Sequence, residues 1–200
     1  MKIAIEITGT TALICNKFTD AAAERATNGT VSSASAADRG TPLEIAESKL
    51  YIGRDGCPMI PQPNLLRCLV EGGRFHKAGK AQITTQKSSM LFSCLDIEGA
   101  EIKIHHKEPW RVDERPVRIP STGGRILARR PMFDDWRLQF VCELDTSIVG
   151  VKLLRTIIDD AGKRIGLGDF RPATKGPFGK FVVTQWEIME AFEPLAIAAE

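Results

Sequence analysis

From Lys163 to Lys180 the chain reads KRIGLGDFRPATKGPFGK, with Gly166, Gly168, Gly176 and Gly179 set among Lys163, Arg164, Arg171, Lys175 and Lys180. Glycines accept positive φ and carry no side chain, so several backbone N–H groups can converge there on an anion. The cations add Coulombic attraction. Arg171 can grip a phosphate in bidentate fashion, while the lysines act as point charges. An exposed Phe170 or Phe178 would stack on a base, worth ~1–3 kcal/mol per base in single-strand binders. This chemistry is recognition of a phosphate backbone. A plainer reading is that the glycines only turn the chain, with Gly166 or Gly168 as a helix C-cap and Phe178 and Phe181 in the core. It accounts less well for five basic residues facing Asp169 alone. A nucleotide P-loop is excluded because the GxxxxGK[ST] order is missing, and a Rossmann fingerprint because the glycines follow a helix.

A second basic stretch runs from Arg111 to Arg130, with six arginines against two acids. If these residues form strands, Arg111 and Arg115 share one face and Arg118 the other, while Arg125 and Arg129 share a face that Arg130 opposes. The arginines then line either a solvated sheet surface, partly paired with Asp113, Glu114, Asp134 and Asp135, or a basic groove that continues the glycine-rich loop. In the groove Arg125 and Arg129 would join the phosphate contacts.

Other chemistry finds less support. His105 and His106 would point to opposite faces of a strand, His76 follows a helix end, and no HExxH motif accompanies them, so surface histidines are expected. Five cysteines, an odd number with no CxxC pair, give no zinc ribbon and are expected to be small buried hydrophobes. No cofactor and no metal site is expected. Ser121-Thr122-Gly123-Gly124 is no nucleophile elbow.

The elements that must position these residues follow from periodicity. Lys2–Thr8 alternates, with Ile3, Ile5 and Ile7 on one face. Residues 19–41 are small and polar and bury too little to fix themselves, which predicts a mobile insertion. A short helix is expected in 42–52, and a second begins near Pro63, carries Leu65, Leu66, Leu69 and Val70 and ends at Gly72-Gly73. Extended stretches are expected at about 88–97, 100–106, 111–119, 124–131 and 136–144. Ile148, Val151, Leu154, Ile157 and Ile158 recur at helical spacing, and 181–188 closes as a strand. The pattern predicts one α+β domain over 1–200, with helices on one face of a largely antiparallel sheet. With 43% hydrophobic and 26% charged residues and a net charge of +2, the chain fits a globular class and is not a polycation. The absence of an apolar run of ~18–20 residues or a signal-peptide pattern predicts a cytoplasmic protein with no membrane partner.

Three segments carry a family resemblance. Ile165–Phe181 is similar to the C-terminal glycine-rich loop of the RAMP superfamily, the RRM-like proteins that process or coat guide RNA in CRISPR systems. Ile7-Thr-Gly-Thr-Thr-Ala-Leu-Ile-Cys-Asn16 resembles the run out of the first strand in their backbone subunits. Ile60-Pro-Gln-Pro-Asn-Leu-Leu-Arg-Cys-Leu-Val70 resembles the turn and helix that follow. The resemblance implies a ferredoxin-like/RRM-like core, RNA binding and side-by-side assembly along a guide RNA, as a homo-oligomer or within a larger ribonucleoprotein. Nuclease members often use a histidine in the N-terminal third, and this chain has none before His76. Some backbone subunits cleave with a metal and an aspartate in the early loop, where Asp20 and Asp38 stand here. Three functions are therefore weighed. They are non-enzymatic binding of RNA or single-stranded nucleic acid, an assembly or virion-type structural protein, and a metal-dependent ribonuclease using Asp38 or Asp20.

Overall fold

The alternating N-terminal segment becomes a central strand because both of its neighbours supply apolar partners in register. This computed structural model describes residues 1–19, 40–118 and 123–189. In chain order its elements begin with β1 (Lys2–Gly9), β2 (Leu13–Ile14), α1 (Pro42–Glu47), β3 (Met59–Pro61), α2 (Gln62–Gly72), β4 (Lys77–Ala78) and β5 (Ala81–Gln82). There follow α3 (Leu91–Cys94), β6 (Leu95–Ile97), β7 (Glu101–His105), β8 (Arg111–Arg118), β9 (Arg125–Phe133), β10 (Arg137–Leu144), α4 (Val151–Asp160) and β11 (Phe181–Met189). The main sheet has the order β11-β1-β10-β7-β3, with β6 also on β10, and its neighbouring strands run antiparallel. With α2 after β1 and α4 after β10, the strands β1, β7, β10 and β11 form a βαββαβ unit whose fourth, first, third and second strands are adjacent. That is the ferredoxin-like arrangement expected from the resemblance.

Ile3, Ile5 and Ile7 oppose Cys142, Phe140 and Leu138, and all six are buried under the helices. Helix α2 contributes Leu65, Cys68 and Leu69, and α4 contributes Leu154, Ile157 and Ile158. Burying each such aliphatic side chain is worth about 1.5–3 kcal/mol. A helix of this length is marginal alone, so packing of its apolar face, not propensity, holds α4 in place.

A smaller sheet, β2-β9-β8, is built on a hairpin inserted between β7 and β10. Trp136, fully buried, joins the two layers. Its Nε1 donates to Thr11 O at 2.8 Å, and its ring meets Phe181 edge-on at 6.3 Å.

Two local expectations change. Only Leu95–Ile97 of the 88–97 stretch is a strand, because Ser89 Oγ accepts from Leu91 N at 3.2 Å and Ser93 Oγ donates to Met90 O at 2.8 Å, curling 91–94 into a helical turn. The arginine strands are only partly solvated, since Arg130 is 3% and Asp113 2% exposed. The expected insertion at 19–41 lies almost wholly outside the described residues. Among the described residues no helix is long and apolar enough to cross a membrane.

Candidate nucleic-acid interface

After α4 the helix widens into one π turn, Ala161–Ile165, before the chain leaves it at Gly166. The loop that follows is bonded to itself and to β2. Leu167 N donates to Gly179 O (2.9 Å), Asp169 N to Ile14 O (2.8 Å), Gly176 N to Arg171 O (2.9 Å), and Gly179 N to Ala12 O (2.8 Å). Gly168 and Gly179 have φ of +74° and +68°, and a Cβ on either would overlap a backbone carbonyl, that of Ile14 or Leu167. These glycines are therefore required by close backbone approach. Because so many loop amides already donate within the protein, the expected cradle of backbone N–H groups does not form. Side chains must supply the attraction for an anion.

The cations are distributed unequally. Lys163 and Lys175 are exposed, Lys175 in a left-handed conformation at φ 64°, and Lys180 is half-buried. Arg171 Nη1 donates to Gly168 O at 2.9 Å, which fixes the half-buried guanidinium at the cleft, where it has no acidic ion-pair partner among the described residues. Arg164 stacks over Phe75 at 4.6 Å and pairs with Asp160 at 3.2 Å. Phe170, also at positive φ (49°), is half-buried and lies 6.0 Å from Phe178.

Asp169 connects this loop to the hairpin. Its Oδ2 accepts from Asn16 Nδ2 (2.9 Å) and Arg130 Nη1 (2.8 Å), and its Oδ1 from Phe170 N (2.8 Å). Arg130 Nη2 donates to Asp113 Oδ2 at 2.8 Å, Asp113 also pairs with Arg115, and the Arg115 guanidinium lies 4.6 Å over the Phe178 ring. The circuit runs from loop to β9 to β8 and back, so the two basic stretches do adjoin. Most hairpin arginines are nonetheless neutralised. Arg111 pairs with Asp134 (2.5 Å) and Arg129 with Glu114 (2.7 Å). Arg118 and Arg125 face one another across the strands with no acidic partner among the described residues.

A cleft of 480 Å³ separates the loop from α2. On the helix side it is lined by Asn64, Arg67, Glu71 and Arg74, and on the loop side by Asp169 and Arg171. Arg67 (3.1 Å) and Arg74 (3.0 Å) share the single carboxylate of Glu71, leaving net positive charge on that wall. The 64–67–71–74 spacing is a polar helix stripe visible in the sequence, but only the fold shows what it faces. Cys15 and Cys68 line the floor with thiols pushed up to about 12 by burial, so the floor is uncharged.

Elsewhere there is less for nucleic acid. On the sheet face away from the helices, β1 and β10 present Ala4, Glu6, Thr8, Arg137, Gln139 and Val141, with no Phe, Tyr or Trp. RRM sheets bind RNA by stacking bases on aromatics at that face, so that mode is unsupported here. The histidines occupy separate places, and all three are half-buried. His76 is half-buried 2.9 Å from Asp160, and His106 is half-buried with its ring 5.2 Å from Phe133. Asp20 and Asp38 lie outside the described residues.

No family model and no curated protein matches the sequence. Solved structures do share the fold. A chain of the cryo-EM structure of the type III-B Cmr-beta bound to cognate target RNA aligns over 93% of this chain with a TM-score of 0.57 at 10% identity. The shared fold is the ferredoxin-like α+β arrangement described above. At that identity the likeness concerns the fold alone, and this chain spans 59% of the length of the Cmr-beta neighbour. A chain of a type IV-B CRISPR complex covers 98% of this chain and 94% of its own length, at 12% identity and a TM-score of 0.49.

Proposed function

We propose that this protein binds single-stranded RNA as a non-catalytic subunit of a CRISPR-type ribonucleoprotein. The phosphate backbone would lie along the basic rim between α2 and the glycine-rich loop. The observation that carries the reading is the pairing of that loop with the arginine-bearing face of α2 across one cleft. Two chain segments far apart in sequence thereby present Arg67, Arg74 and Arg171 around one cleft, and the loop segment also carries the exposed Lys163 and Lys175. A neighbour of like fold belongs to a complex bound to target RNA, which supports RNA as the ligand class. Assembly along the strand, one domain over 1–200 and cytoplasmic location belong to the same proposal.

Fluorescence anisotropy with labelled single-stranded RNA and DNA tests it. Replacing Lys163, Lys175 and Lys180 with alanine should weaken RNA binding while leaving the melting temperature unchanged. The log-affinity against log-salt slope should fall by about 0.7 for each phosphate no longer neutralised. Affinity at low salt equal to that of the unaltered chain would count decisively against the reading.

A further inference from the structure

The cleft between α2 and the loop is segregated by polarity in a way that a phosphate backbone alone does not need. Its rim carries Arg67, Arg74 and Arg171, whereas its floor is Ile60, Cys15, Cys68, Ile165 and Leu167, each no more than 6% exposed. Both floor thiols are protonated and neutral at any physiological pH. A charged group gains nothing on such a floor, while a flat neutral ring buries apolar area there. Tyr51 lines the same cleft, half-buried, and is anchored through its carbonyl by Met59 N at 2.9 Å. Among the described residues it is the one aromatic side chain lining the cleft. The volume of 480 Å³ falls in the ~300–1,000 Å³ range of small-ligand sites and exceeds what a rim contact requires.

Two amides complete the site. Asn16 Nδ2 donates to Asp169 Oδ2 at 2.9 Å. A carboxylate only accepts, so this contact assigns the amide orientation and leaves Asn16 Oδ1 as an acceptor. The orientation is held because Arg130, almost fully buried, grips the same Asp169 oxygen. Asn64, exposed in the first turn of α2, has no side-chain partner among the described residues and offers both a donor and an acceptor.

We propose that this cleft holds one unstacked nucleobase of the bound RNA. The base stacks against Tyr51 over the apolar floor, one of its N–H groups donates to Asn16 Oδ1, Asn64 meets its edge, and the flanking phosphates stay on the arginine rim. The proposal rests on the RNA-binding reading above and adds a base-dependent component to it.

The experiment compares a short single-stranded RNA with a ribose-phosphate oligomer of equal length and charge that lacks bases. The intact RNA should bind about tenfold or more tightly than the abasic oligomer, since stacking of one base is worth ~1–3 kcal/mol. Tyr51→Ala and Asn64→Ala should shrink that ratio severalfold, and Tyr51→Phe should preserve it. Lys163→Ala should weaken both oligomers alike. Asn64 is exposed, so its variant decides the matter even if Tyr51→Ala fails to fold. A ratio unmoved by Tyr51→Ala and Asn64→Ala, in folded protein that binds RNA, would overturn the base site and leave the RNA reading standing. Failure to bind either oligomer at low salt would instead overturn the RNA reading, and the base site with it.

Discussion

Arg130→Met removes the guanidinium that joins the glycine-rich loop to the β8–β9 hairpin while keeping much of its volume. Arg130 and Asp113 are 3% and 2% exposed, so the variant strands a carboxylate that water hardly reaches. Breaking one side of a buried pair costs about 3–5 kcal/mol. Two features place the cost at the lower end. Arg115, with a side chain 33% exposed, still pairs with Asp113. Arg130 Nε is buried without a hydrogen-bond partner, and methionine removes that unmet donor as well. Separation of Arg130 from Asp169 adds little, because the Asp169 side chain is 32% exposed and such pairs are worth ~0–1 kcal/mol. A net loss of about 3 kcal/mol lowers the melting temperature of a chain this size by roughly 6–12 °C. Denaturant unfolding followed by tryptophan fluorescence reads it. The double variant Arg130→Met/Asp113→Leu should recover most of the loss, since apolar replacement of a whole buried pair is often neutral. A loss below about 1 kcal/mol for the single variant would mean that solvent reaches Asp113 and that the ionic circuit does not seat the loop.

Three further outcomes follow from local geometry. Gly179→Ala combines φ +68° with overlap of Leu167 O and should cost about 2–4 kcal/mol in denaturant unfolding. Gly56→Ala, at φ +76° in open space, should cost only about 1 kcal/mol, and equal losses would show that backbone approach is not what fixes Gly179. Lys175→Gly relieves a left-handed lysine at φ 64°, so stability should hold or rise by up to ~1 kcal/mol while RNA affinity drops. A thermal melt paired with anisotropy separates the two effects, and a joint loss of stability and affinity would contradict this account. Glu6 accepts from Gln139 Nε2 and Thr184 Oγ1, both at 2.8 Å, and these bonds hold its carboxyl below the ordinary 4.5. A lowered folded value adds stability above the unfolded-state value, and that stability is lost as pH falls through the folded one. The gap in melting temperature between the natural chain and Glu6→Gln should therefore be full near neutrality and close on acidification below about pH 4.5. A gap that stays constant with pH would remove Glu6 from the acid response.

Much of the architecture was legible in the sequence because it rests on local periodicity. The Ile3-Ile5-Ile7 alternation required a strand with one buried face, and the spacing through Leu154, Ile157 and Ile158 required a helix with one. The placing of glycines between that helix and the closing strand located the loop. What could not be read was which groups were already occupied. Arg111, Arg115, Arg129 and Arg130 look alike in sequence, yet their acids lie between 2 and 39 residues away, and only the β8–β9 register and the seat of the loop select them. The same holds for the loop amides, which look available to an anion in the sequence but are consumed by β2 and by the loop itself. Residues 51, 64, 67 and 74 belong to the cleft only because α2 packs beside the loop, a juxtaposition set by long-range burial of the core. Propensity and spacing act within a few residues, and they were enough to specify the elements and the basic glycine-rich loop. Which charges are neutralised and which face the cleft is settled by the folded arrangement alone, because pairing and desolvation depend on distances between segments that the chain brings together when it buries its core.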